Sequence, residues 1–143
     1  MLLVQIQQDT VLVKIMIQKS TSLQVVDNSG AKVVSCISIG KGFNKKFAKL
    51  GDLILVSVKS LRNKRRLTSK VRKGEICFAL IIRVKINKKQ NFFCDKIKFS
   101  ENSVILFTKQ KKFLFTRIFG GVSLLFRYSK YTRIISLSSG ILV

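Results

Sequence analysis

Histidine is absent from the chain, and only six residues are Asp or Glu. Without histidine the commonest general base is missing, and so are the Ser–His and Cys–His pairs of nucleophilic catalysis. Asp27, Asp52 and Glu75 each stand beside a glycine turn, where a local backbone hydrogen bond accounts for a carboxylate. They read as turn residues and not as an acid–base or metal-binding set. Gly40-Lys41-Gly42 lacks both the spacing and the hydroxyl of a phosphate-cradling loop. Cys36, Cys77 and Cys94 are widely spaced with no CxxC, which suits neither zinc nor a disulfide framework. They read as small buried hydrophobes in a reducing compartment. Neither an enzyme activity nor a metal or cofactor is expected.

The cations point elsewhere. Lys and Arg number 28, giving a formal charge of +22. A compact domain with that charge repels itself, and a polyanionic partner supplies the missing countercharge. Nucleic acid is the first choice, since each neutralised phosphate releases counterions. An anionic membrane surface is second, and a solvated basic face is the bland alternative. The candidate contacts fall in clusters: Lys41, Lys45, Lys46 and Lys49, then Arg62, Lys64, Arg65, Arg66, Lys70, Arg72 and Lys73, then Arg83, Lys85, Lys88 and Lys89. Further cations lie at Lys109 to Arg117 and at Arg127, Lys130 and Arg133. Charge on several loops suits a folded polyanion better than a single groove. Phe43, Phe47, Phe92 and Phe93 lie near these cations. Stacking on exposed bases and packing into the rim of the fold are both open to them.

The elements that must position these loops are strands. Leu53, Leu55 and Ser57 point to one face of an extended segment, and Ile54, Val56 and Val58 to the other. Both faces are largely apolar, so the strand is buried on both sides or closed into a barrel. Ile76 to Val84 reads the same way, and the connector between the two is cationic. Short β-like runs occupy Met16 to Val26, and Val33 to Ile39 reads as a strand. Asp27-Asn28-Ser29-Gly30 is a dense turn signal. A hairpin is expected around Glu101-Asn102, from Ile97–Phe99 and Ser103–Phe107. Phe113 to Val122 reads as an apolar, glycine-ended loop. The tail from Ser123 holds one or two helical turns and a final run, Ile134 to Leu137.

A chain of 143 residues is one domain that needs no disulfide to fold. No window holds the ~18 uninterrupted apolar residues of a membrane helix, so no membrane insertion is expected. Residues 1–15 fit neither a mitochondrial presequence nor a secretory signal and read as an extra edge strand or loose arm. Lys, Ile and Phe are abundant, Ala is scarce, and Pro and Trp are absent. That balance favours residues with A/T-rich codons and suggests an AT-rich genome, such as an organelle's.

From Val25–Lys32, VVDNSGAK, the sequence resembles a known family, the universal large-subunit ribosomal protein number fourteen of bacterial and organellar type. Met16-Ile17-Gln18 stands where that family opens. The pattern continues through Cys36-Ile37, Gly42 to Ala48, Gly51-Asp52, Lys70 to Glu75, Ile81-Ile82-Arg83 and Ile97-Lys98-Phe99. It closes with Asn102, Thr116 to Gly120 (TRIFG) and Lys130 to Leu137 (KYTRIISL). The match runs over about residues 16–143, in order and at nearly constant spacing.

The resemblance implies a mostly β fold: a small five-stranded antiparallel β-barrel with a protruding β-hairpin and a short C-terminal helical segment. It implies one domain over 16–143 after an extension, 1–15. It further implies a structural role, binding large-subunit rRNA through the clustered cations. An intersubunit bridge to small-subunit rRNA is implied as well. Neighbouring large-subunit proteins numbers three and nineteen are implied partners, and a ribosome-silencing factor would dock near Thr116, Arg117, Lys130 and Arg133. With the composition, a mitochondrial ribosome is the expected location and a plastid one the alternative. The chain departs from the family in four places, the first being residues 1–15 ahead of the usual start. The connector 60–70 is longer and more basic, Ser100-Glu101 replace an acidic residue and glycine, and Gly121 replaces a proline. The alternative function is an extra-ribosomal barrel that coats single-stranded nucleic acid, which has no need of TRIFG or IISL.

Overall fold

The computed structural model describes residues 17–40, 46–62, 68–85 and 99–142. Expectations for residues 1–15, Phe43, Phe92, Phe93 and Cys94 lie outside them. So do those for Lys41, Lys45, Lys64, Arg65, Arg66, Lys88 and Lys89. No protruding hairpin stands out among the described strands, and the connections containing 63–67 and 86–98 lie outside the described residues. Of the hairpin around Glu101-Asn102, Ser103–Phe107 is a strand, Phe99 is not, and Ile97 is not described.

Five strands close into a barrel in chain order: β1 (Ser22–Val25), β2 (Ala31–Ile39), β3 (Leu53–Leu61), β4 (Ile76–Arg83) and β5 (Ser103–Phe107). Consecutive strands pair antiparallel. The closing pair is parallel, with Gln24 opposite Ser103 and Val25 opposite Val104. This qualifies the expectation of antiparallel pairing, and the reason is parity. Five strands that alternate in direction leave the first and last pointing the same way. Register shifts at Ala31 to Val34, Cys36 to Ser38 and Ile81 to Arg83 are the irregularities that let so few strands curl shut.

The apolar residues on both strand faces have two uses. One cluster fills the barrel, with Val34, Cys36, Ile54, Val56, Val58, Cys77, Ala79 and Ile81 among its members. The other lies outside the barrel wall. There Leu80, Ile82, Ile105 and Phe107 pack against Ile118, Val122, Phe126 and Ile134 of the tail. Strand β4 is therefore buried on both faces and also closed into a barrel, so both readings of its pattern hold. Burying a Leu or Ile side chain contributes roughly 1.5–3 kcal/mol, enough for the outer cluster to fix the tail.

The tail holds two strands that its sequence does not announce. β6 (Ile118–Ser123) occupies part of the expected loop and pairs parallel with β7 (Ser138–Leu142). A parallel pair requires a crossover. Here it consists of a 3-10 turn, Leu124–Tyr128, followed by helix α1, Arg133–Leu137. The expected final run, Ile134 to Leu137, is thus helical, and the strand begins one residue later. No helix among the described residues is long and apolar enough to cross a membrane.

Cys36 and Cys77 are free and buried, as small hydrophobes. Burial pushes the Cys77 thiol up to about 12 and raises that of Cys36 as well. Only the thiolate reacts. Iodoacetamide at pH 8 should therefore leave both unmodified in the native chain and label both once the chain is denatured. Peptide mapping that finds native labelling at either site would contradict this burial.

Candidate nucleic-acid interface

The carboxylates build the turns that carry the cations. Lys49 donates its N–H to Asp52 Oδ2 at 2.7 Å, and Gly51 between them has φ +81°. Arg72 donates its N–H to Glu75 Oε2 at 2.8 Å, and Gly74 has φ +84°. These are one device used twice. In each, an acid receives the N–H three residues earlier, a glycine takes the left-handed conformation, and a strand starts at the next residue. Each turn fixes its backbone while the Lys49, Arg72 and Lys73 side chains stand exposed.

Alternating strand direction sorts the cations to two ends. The β2–β3 connection carries Lys46 and Lys49, and Lys85 follows β4 at the same end. The β3–β4 connection carries Lys70, Arg72 and Lys73 at the other end. A cleft of about 600 Å³ there is lined by Ser69, Lys70, Arg72, Lys73, Gly74 and Glu75. These exposed groups, together with the half-buried Arg62 and Arg83, are the described part of the sequence-derived set.

Three members of that set are tied into the fold. Arg83 donates from Nε to the Gly121 carbonyl at 2.8 Å and from Nη2 to the Phe119 carbonyl. It is half-buried, and burial lowers its pKa while Glu101 opposes the shift. Gly120, at φ +81°, lies so close that a Cβ there would sit 2.6 Å from Arg83 Nη2. Arg62 donates to the Val25 carbonyl at 2.8 Å, and its guanidinium lies 5.3 Å from the centre of the Phe119 ring. Lys70 Nζ reaches the Leu114 carbonyl at 2.9 Å.

The segment from Thr116 to Gly121 is gripped along its length. Asn28 Oδ1 accepts the N–H groups of Thr116 (2.9 Å) and Arg117 (3.4 Å), and its Nδ2 donates to Thr116 Oγ1 at 2.7 Å. Phe119 donates its N–H to the Val26 carbonyl at 2.8 Å. Next door, Asp27 is fully buried and accepts N–H groups from Ser29 (2.8 Å) and Leu106 (2.7 Å). The DNSG motif is therefore the junction between the barrel and the TRIFG segment, 88 residues away in sequence. Sequence reasoning found its turn character but not its distant partners.

Of the four partner-face candidates, Thr116 and Arg117 are exposed neighbours on the segment that Asn28 holds. The Arg133 guanidinium lies 5.8 Å from the centre of the Phe113 ring, three residues before Thr116. Lys130 is exposed in the link between the 3-10 turn and α1. The arrangement is a fixed scaffold displaying cations at both ends of a barrel and along its tail. Cations spread in this way suit a large, folded polyanion better than a single groove.

Residues 16–142 match the family model described as ribosomal protein L14p/L23e. The chain is also similar to the large ribosomal subunit protein uL14 of Carsonella ruddii (strain PV). The two are 41% identical over 127 residues, a stretch covering 89% of this chain and 100% of that protein.

Proposed function

The chain belongs to the ribosomal protein L14p/L23e family, structural constituents of the large ribosomal subunit, and from that premise we propose that it holds large-subunit rRNA through cations displayed at both ends of its barrel. The observation that carries this reading is the pair of matched carboxylate turns, which pin the backbone at Lys49 and at Arg72-Lys73 and aim the side chains outward. Phosphates fix position and orientation on the RNA, so such a protein works by neutralisation and shape fit without base-specific readout.

The finer placements belong to the same proposal. Thr116, Arg117, Lys130 and Arg133 form the face for a bridge to small-subunit rRNA and for a silencing factor. Large-subunit proteins numbers three and nineteen are the neighbours. Both rest on the family resemblance; the one structural link among the described residues is the Arg133 guanidinium 5.8 Å from the centre of the Phe113 ring, three residues before Thr116. Residues 1–15 stand as an extension ahead of one domain, 16–143. A mitochondrial ribosome, with a plastid one as the alternative, rests on composition and on the departures from the family pattern, and a relative in Carsonella ruddii is compatible with any bacterial-type ribosome.

The test is sedimentation from the cell that makes the chain. It should travel with large subunits through a high-salt gradient. A protein that coats single-stranded nucleic acid outside the ribosome would instead leave the heavy fractions, and that outcome would end the ribosomal reading.

A further inference from the structure

Tyr128 is 81% exposed, the most exposed large hydrophobic side chain among the described residues. Its backbone is nevertheless fixed. The 3-10 turn that ends at Tyr128 is anchored by Phe126, which is buried in the outer apolar cluster. Ser129 secures the exit. Its hydroxyl donates to the Phe126 carbonyl at 3.0 Å, and the same oxygen accepts the Tyr131 N–H at 3.1 Å. In a 3-10 turn the side chains at i and i+3 eclipse, so Leu125, itself 44% exposed, lies on the same side as Tyr128. The turn thus has a buried anchoring side and an apolar, aromatic displayed side.

The charge beside it along the chain has one sign. After Glu101 the chain contains no further Asp or Glu, while Arg127 and Lys130 bracket Tyr128 and are exposed. A ligand for this spot needs a flat apolar face flanked by negative charge. An unpaired nucleotide has both, because every base offers a π-face and is joined to its neighbours by phosphates.

We propose that Tyr128 is a base-stacking residue whose ring receives one unpaired nucleotide of RNA, with Arg127 and Lys130 meeting the adjoining phosphates. The inference rests on the RNA-binding reading above and adds to it a single-stranded target. The pre-fixed turn means that little ordering entropy opposes the stack.

The chain has two tyrosines and no tryptophan. Tyr131→Phe keeps a ring against Phe107, its neighbour at 5.9 Å, and leaves Tyr128 as the sole tyrosine emitter. The full-length Tyr131→Phe chain is titrated with single-stranded oligoadenylate at low salt, and with a duplex of equal length. Emission from Tyr128 should fall strongly with the single strand and little with the duplex, whose bases are already stacked. Tyr128→Phe should bind the single strand within about twofold of the parent, and Tyr128→Leu about tenfold more weakly. Thermal midpoints should be alike, because the ring supports nothing inside the fold. Unchanged emission at saturation would overturn the proposal and leave the wider RNA reading standing. Equal quenching by the duplex would overturn it as well. If Tyr128→Leu binds as well as Tyr128→Phe, the ring is a plain apolar contact of the kind an acidic peptide uses, and the proposal falls. Absence of any saturable, salt-sensitive binding would end both readings.

Discussion

Replacing Asp27 with alanine should lower the stability of the folded chain by about 3 kcal/mol, more than removal of any other carboxylate among the described residues. Asp27 is fully buried and accepts two buried backbone N–H groups, from Ser29 and Leu106. Leaving a buried donor unsatisfied costs roughly 1–3 kcal/mol, and alanine leaves both without their acceptor. Typical domains are stable by only about 5–15 kcal/mol, so the thermal midpoint should fall by about 10 °C for a chain of this size. Asp52→Ala is the control. It removes the acceptor of one N–H at an exposed turn and should cost about 1 kcal/mol. Thermal melts that rank Asp52→Ala as costlier would defeat the assignment of Asp27 as the buried junction.

The sign of the pH dependence follows from the environment of Asp27. Burial raises its pKa above the usual carboxylate value, outweighing its hydrogen bonds and the charge of Arg62. The folded state therefore holds the proton more tightly than the unfolded chain does. Its contribution is fully present below the unfolded pKa and is lost as pH rises through the folded one. Asp27→Ala lacks this slope, so the gap between wild type and variant should narrow as pH rises across that window.

The barrel was legible because its strands announce themselves. Ile54, Val56 and Val58 alternate with Leu53, Leu55 and Ser57, and no other regular structure suits that period. Turn use of Asp52 and Glu75 was legible for the same local reason, since each follows a glycine that the turn requires; the turn bond of Asp27 to Ser29 was legible from the DNSG run, but its second bond, from the Leu106 N–H, was not. The tail was not legible. β6 contains Gly120-Gly121 and β7 contains Ser138-Ser139-Gly140, residues with little strand preference. Their pairing comes from the crossover and from packing on the barrel wall, neither of which is local. Ile134 to Leu137 is too short an apolar run for periodicity to separate helix from strand. At the interface the limit is different. A cation near a barrel reads the same whether it meets a phosphate or a carbonyl. Only the fold brings Arg83 to Phe119 and Gly121, 36 and 38 residues away, and Lys70 to Leu114.

That division of the cations should appear directly in the salt dependence of RNA binding. If about 8 phosphates are neutralised, log affinity for a cognate rRNA fragment should fall against log salt with a slope of about −6 to −7. Affinity would then drop roughly ten-thousand-fold between about 50 and 200 mM salt. A slope near zero would end the electrostatic account. The variants separate the two kinds of cation. Arg72→Ala combined with Lys73→Ala should reduce the slope by about 1–2, since each lost phosphate contact removes about one. Neither side chain holds the turn, whose hydrogen bond comes from the Arg72 backbone, so the melting temperature should not change. Arg83→Ala should do the reverse, because the Phe119 and Gly121 carbonyls lose their donor. It should melt earlier while keeping most of the slope. An Arg83→Ala chain of unchanged stability with a flattened slope would move that residue from the scaffold to the RNA-facing surface. Arg72 and Arg83, equal in charge, are thus assigned opposite roles by whether backbone carbonyls already occupy the guanidinium.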